Sequence, residues 1–167
     1  MALSFANLLL TPSIMLGVTD TLNRQQVETL YGNIVLDPPA DDYYLNHVVQ
    51  KVTRIEQLPG VTAASPRLTT SALIEYEWLE KASPTDRGKS GTWSVIGVDP
   101  VREALVTTIP GHIFEGRYLD DTDRDAIVLG IEIAGGNSAE TSGFQTLQVA
   151  RVGDTVRLTY QNGVQRE

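Results

Sequence analysis

The chain has 167 residues, no cysteine and a formal net charge of −8 at pH 7. That length holds one domain or two small lobes with a real core, while the acidic balance argues against a grip on nucleic-acid phosphates or anionic lipid head groups. Without cysteine there is no disulfide framework, no thiolate metal site and no cysteine nucleophile.

Residues 1–19 carry no charged side chain, and the first charge is Asp20. A membrane-spanning helix needs about 20 mainly apolar residues. Residues 2–18 fall just short of that length and include Asn7, Thr11 and Pro12; they lack the basic start and cleavage site of a signal peptide. The segment is expected to be the end of a membrane helix whose beginning lies before Met1. The plainer alternative is an amphipathic helix packed on the domain's own core. No Lys or Arg precedes it, so charge does not orient it.

Ile14, Leu16, Val18, Leu22, Val27, Leu30 and Tyr31 then recur at spacings that suit a helix, so the apolar start should run on as one helix into water. Gly32 is placed to end it, because glycine accepts the left-handed conformation that closes a helix. Asn33-Ile34-Val35-Leu36-Asp37 reads as a short strand, stopped by Pro38-Pro39.

Asp41 or Asp42 is expected to cap the next helix, since a carboxylate there accepts from the first-turn amides and complements the dipole. Leu45, Val48, Val49, Val52 and Ile55 predict its buried face, and Leu58-Pro59-Gly60 closes it. Residues 61–67 are expected to be extended and residues 68–79 to be β structure. There, Glu75 and Glu77 would share a solvated face and Tyr76 and Trp78 a buried one. Residues 81–91 read as a polar hairpin tip and 92–98 as the returning strand. Asp99-Pro100 opens a short helical turn reaching about Leu105. Residues 109–111 and 115–117 are loop signals, and 120–125 a charged loop. Ala126-Ile127-Val128-Leu129-Gly130 reads as a buried strand, with further strand candidates at 147–149 and 154–160. Asn162-Gly163 is a strong hairpin turn, and its second strand, missing before Glu167, suggests that the natural protein continues. No fixed-period repeat occurs, and the pattern as a whole is α+β.

Asp121, Asp123, Asp125 and Glu132 occupy positions 1, 3, 5 and 12 of a calcium-loop template, whose oxygen ligands need that spacing to wrap the ion. Ala126 stands where the template needs glycine, so a solvated acidic loop is the expectation. His112, Ser65 and an aspartate could form a Ser-His-Asp set, but no nucleophile-elbow sequence surrounds them; His47 falls on the second helix. Gly130, Gly135, Gly136 and Gly143 fit neither the dinucleotide fingerprint nor the P-loop. The pairs Glu75/Glu77 and Asp120/Asp121 would need a cleft to serve as acid and base. No catalytic, cofactor-binding or metal-binding residue is assigned.

Five motifs then carry a resemblance. Residues 55–68, with Leu58-Pro59-Gly60-Val61 and Ser65-Pro66-Arg67-Leu68, come first. Val95-Ile96-Gly97-Val98-Asp99-Pro100, Glu115-Gly116-Arg117-Tyr118-Leu119, Ile127-Val128-Leu129-Gly130 and Val152-Gly153-Asp154-Thr155-Val156 follow. In that order they resemble the extracytoplasmic (periplasmic) core domain of MacB/FtsX-like ABC-transporter permeases, a group that includes the lipoprotein-releasing LolC/LolE permeases. The resemblance spans roughly residues 1–163.

It implies a two-lobed α+β domain. Residues 1–31 would be the end of the first membrane helix continuing as a stalk helix. Residues 32–67 would belong to a βαβ-rich membrane-proximal lobe, incomplete here, and residues 68–167 to an inserted β-rich distal lobe. It further implies a cell-membrane protein with this domain on the extracytoplasmic side and a separate ABC ATPase subunit. Its other partners would be a permease partner or a second copy, and an extracytoplasmic protein or lipid-linked substrate. The domain would relay motion without chemistry of its own. A soluble hydrolase would instead need His112 or the carboxylates at 120–125 to converge in a pocket; a sensor or structural ectodomain of another membrane protein is the remaining alternative.

Overall fold

A computed structural model describes residues 2–80, 88–136, 145–148 and 150–167, with side chains of the first helix from Leu10 onward. Among these residues stand four α-helices and a four-stranded antiparallel sheet, a mixed α+β architecture. The chain divides into two compact units: Met1–Pro66 with Arg102–His112, and Arg67–Val101 with Ile113–Glu167.

In the first unit, helix α1 (Ala2–Gln25) passes directly into a π-helical turn, Gln26–Tyr31. Such wide turns are rare and concentrate at functional sites. Gly32 ends the run with φ 69, its N–H donating to the Val27 carbonyl at 2.8 Å. Glycine is needed there twice over. The positive φ disfavours a side chain, and a β-carbon would lie 3.0 Å from the Val106 side chain.

Residues 33–37 do not form the expected strand. Local sequence supplies the β-branched run, but a strand needs a ladder partner for its N–H and C=O groups. None among the described residues pairs with this stretch, and Ile34, Val35 and Leu36 remain exposed. Helix α2 (Val48–Glu56) also starts later than expected. Asp42 donates its N–H to the Pro39 carbonyl at 2.9 Å, closing a turn, and the cap position falls on His47, left-handed at φ 55 and without a side-chain cap. The buried stripe is otherwise as read: Val52 is buried, Leu45, Val48 and Ile55 are half-buried, and only Val49 turns outward.

The second unit is built on a long hairpin. Strands β1 (Arg67–Tyr76) and β2 (Lys89–Val98) pair along their full length, from Arg67↔Val98 to Tyr76↔Lys89; residues 81–87 of the expected tip lie outside the described residues. Helix α3 (Pro100–Val106) follows, opened by proline as expected, and its residues from Arg102 on belong to the first unit. Strand β3 (Val156–Tyr160) lines the other edge of β1, and β4 (Gln165–Arg166) pairs with β3, giving the order β2-β1-β3-β4. Alternation puts Ala72, Ile74, Val156 and Leu158 on one face, where with Leu147 they form the core.

Two strand readings fail in this unit. Residues 126–130 join no ladder; the chain turns at Gly130 into the short helix α4 (Ile131–Ala134), although Leu129 still packs against the core. Residues 145–148 are irregular, with residue 149 outside the described residues, and Leu147 N–H donates to the Ile133 carbonyl at 2.7 Å. The last hairpin does have its second strand, β4. Gly163 N–H donates to the Tyr160 carbonyl and Tyr160 N–H to the Val164 carbonyl, both at 2.9 Å, and Gly163 takes φ 81. This is a turn followed by a glycine bulge.

Candidate functional site

Every described side chain of α1 is exposed. Ile14, Met15 and Leu16 are consecutive, about 100° apart around a helix, and each is more than 60% exposed. An apolar stripe would face a core, whereas apolar surface all round suits an apolar surrounding. None of the described α1 side chains, from Leu10 on, packs on a core. Among the described residues no helix is long and apolar enough to cross a membrane. Charge begins with the Asp20–Arg24 pair, one turn apart at 3.5 Å and largely exposed, where such pairs contribute little.

Below that charge lies an open cleft of about 460 Å³, lined by Asp20, Arg24, Glu28, Asn33, Val106 and Thr108 among others. The carbonyl of Glu28, in the π-helical turn, accepts from Thr108 N–H at 2.9 Å and from Thr108 Oγ1 at 3.3 Å. The π-helical turn that ends α1 is thereby tied to the end of α3. Further into the same unit Glu103 is fully buried, accepting from Ser65 Oγ at 2.7 Å and Thr107 Oγ1 at 3.2 Å, and Arg102 pairs with Glu56. Ser65 thus serves a buried carboxylate and is not presented to His112. His112 places Nδ1 2.8 Å from the Thr108 carbonyl, and His47 stands at the start of α2. The Ser-His-Asp set is not assembled.

In the second unit, the face expected to be solvated is covered. Glu75 is buried because its β3 neighbour Arg157 lies over it, Nη2 and Nε reaching Oε2 at 2.7 and 3.0 Å, while the guanidinium sits 5.4 Å from the Trp78 ring. Glu77 takes φ 50 at the strand end and pairs with Lys89, which lies 5.2 Å from the Tyr76 ring. The Tyr76 hydroxyl donates to Asp154; that bond, with burial and the carboxylate charge, pushes the phenol up to about 12. Asp154 is held low by the Arg151 N–H at 2.9 Å and then by Tyr76. These residues clasp the sheet surface.

The acidic loop is equally self-contained. Arg117 holds Asp123 by two parallel bonds of 2.7 Å, which bring that carboxyl down to about 2. Asp120 accepts from the Thr122 hydroxyl and backbone N–H and is also held low. Asp123, the third position of the calcium template, is thus spent on Arg117, and Glu132 stands in α4; among the described residues no three potential ligands cluster. Gly135, at φ 102, packs so closely on Gln148 that a β-carbon would overlap that residue's carbonyl oxygen. Its role is chain packing. Gly143 lies outside the described residues.

Sequence reading missed Arg157 as the partner of Glu75 and missed Glu103 as a buried group. The first carried no local signal, because 82 residues separate the pair; the second sits on a seven-residue helix too short to show a face. No family model, no curated protein and no solved structure matches this chain.

Proposed function

We propose that the chain is the extracytoplasmic domain of an ABC-transporter-like permease. It would relay motion driven by a separate ATPase subunit and contact a partner or substrate, with no chemistry of its own. The carrying observation is α1, without a charged side chain before Asp20, exposed at every described side chain from Leu10 on, and continuous with the first unit. A helix of that kind is stable only where its surroundings are apolar. On this reading α1 is the lower end of a membrane helix, the first unit is the membrane-proximal lobe of a two-lobed MacB-like domain and the second is its β-rich distal lobe. The bond from Thr108 to the Glu28 carbonyl is then a point where helix motion enters the proximal lobe. The five ordered sequence motifs support the assignment to this group of permeases.

Flotation with neutral phosphatidylcholine vesicles tests the helix. The full chain should float, and the double substitution Ile14→Asp with Leu16→Asp should cut the bound fraction more than tenfold, since a carboxylate within an apolar membrane segment costs up to about 3 kcal/mol. A chain that stays at the bottom, or a variant that floats equally well, overturns the membrane assignment. The permease assignment is checked in the genome: the coding sequence should carry further apolar segments and adjoin an ATPase gene, and finding neither overturns it.

A further inference from the structure

We propose that the π-helical turn Gln26–Tyr31 is a two-position coupling, held in its wide register by Thr108 and closing to an ordinary α-turn when Thr108 releases it. In an α-helix the Gly32 N–H would donate to the carbonyl four residues back, that of Glu28. Here it reaches one residue further, to Val27 at 2.8 Å. The Glu28 carbonyl accepts from Thr108 instead, from the N–H at 2.9 Å and from Oγ1 at 3.3 Å. A carbonyl oxygen has two lone pairs, and the two Thr108 donors occupy both. Thr108 and Gly32 therefore compete for one acceptor, and the wide turn is the register in which Thr108 holds it.

The two sides of the joint are unequal. Thr108 is anchored: its carbonyl accepts from Gly111 N–H at 3.0 Å and lies 2.8 Å from His112 Nδ1. The residue before it, Thr107, is buried and donates its N–H to the Glu103 carbonyl at 2.9 Å. On the other side every described α1 side chain is exposed, so no packing by those side chains resists a turn of the helix about its axis. Gly32 keeps an acceptor in either register, so the two states differ chiefly by the Thr108 bonds, a gap small enough for a bound partner to shift. A change of register by one residue turns α1 by about 100° and moves it about 1.5 Å along its axis. Asp20, Asn23 and Arg24, which line the cleft with Val106 and Thr108, then turn out of it. As the step by which motion of α1 reaches α3, the coupling rests on the permease reading; the change of register does not.

The chain has no cysteine, so spin labels on introduced pairs report distances within the first unit. Leu22→Cys and Asn23→Cys on α1 are each combined with Val49→Cys on α2, whose side chain is exposed. Leu22 and Asn23 lie about 100° apart round the helix, so a rotation has to change at least one distance, and it carries a surface position about 8 Å. In detergent micelles the parent should give one distance for each pair. Thr108→Pro, lacking both donors, should move most molecules to a second distance, and Thr108→Val, lacking the hydroxyl alone, should show both. Deleting Tyr31 removes the extra residue of the wide turn, so that Gly32 stands four residues after Val27; the parent distances should persist there and should not respond to Thr108→Val. Exchange protection of the Thr107 amide reports whether α3 is intact, and if proline loosens α3 the valine variant alone decides. Distances that stay at the parent values in Thr108→Val, or that shift equally in the chain without Tyr31, overturn the proposal. Neither vesicles nor an ATPase enters these measurements, so their failure and the failure of the permease assignment are separate results.

Discussion

The two units handle apolar surface in opposite ways. The second closes on itself: Ala72, Ile74, Leu147, Val156 and Leu158 are buried together, with Tyr76, Trp93, Leu129 and Ile133 packed around them. In the first, Val52 is the buried apolar residue among those described, joined by the polar Glu103 and Thr107. Meanwhile the α1 side chains from Leu10 on, residues 34–36 and Tyr43 are exposed. A sheet whose strands supply each other's hydrogen bonds can build a core from one hairpin and its neighbours. The first unit, with its short α2 and α3 and the unpaired chain between α1 and α2, buries little among its described residues, and the surface it leaves open is the surface available to a membrane or a partner.

The largest test of this contrast is truncation in each core. Leu147→Ala removes a fully buried side chain and should cost about 3 kcal/mol, within the range for cavity-forming leucine changes. Val52→Ala should cost about 1 kcal/mol. Both tryptophans, Trp78 and Trp93, lie in the second unit, so denaturant melts followed by fluorescence read that unit, while helical circular dichroism is weighted toward α1 and α2. Leu147→Ala should shift the fluorescence transition and Val52→Ala the dichroism. Equal losses by both probes would mean that the units do not melt separately.

A smaller effect separates burial from pairing. Arg157→Ala removes two hydrogen bonds and the opposite charge from the buried Glu75 carboxylate and should cost about 3 kcal/mol at most, since removing one partner of a buried pair is worse than removing both. The double change Glu75→Leu with Arg157→Met should recover most of that stability in the same fluorescence melt. If the double variant is no better than Arg157→Ala, the clasp over Trp78 matters for reasons other than charge.

The same contrast explains what could be read from sequence. The β1–β2 hairpin was legible because period-two alternation and loop punctuation are local signals, and the Val48-Val52-Ile55 stripe because helical spacing is local too. Residues 33–37 and 126–130 have equally good strand composition, yet a strand exists only where a partner does, and pairing is decided by distant chain. Glu75 shows the same limit: its alternation marked it as solvent-facing, and Arg157, 82 residues on, covered it. Of the candidate site, the charge-free start before Asp20 was visible at once, because composition needs no partner to be read.

The finest test uses Tyr76, whose hydroxyl ties β1 to Asp154 in the second unit alone. An unfolded tyrosine ionises near pH 10, whereas Tyr76 in the folded chain is pushed up to about 12. Between those values the unfolded state loses its phenolic proton first, so folding has to take it back. The bond's contribution is complete below about pH 10 and drains away as pH rises toward 12. Ultraviolet titration should therefore show Tyr76 ionising near pH 12, and Tyr76→Phe should reduce the amplitude of that late phase by one tyrosine. Over the same range the fluorescence melt of the second unit should weaken in the parent more than in Tyr76→Phe. A late phase of unchanged amplitude in Tyr76→Phe would move the raised phenol elsewhere. It would also remove Asp154 as the group that closes this face of the sheet.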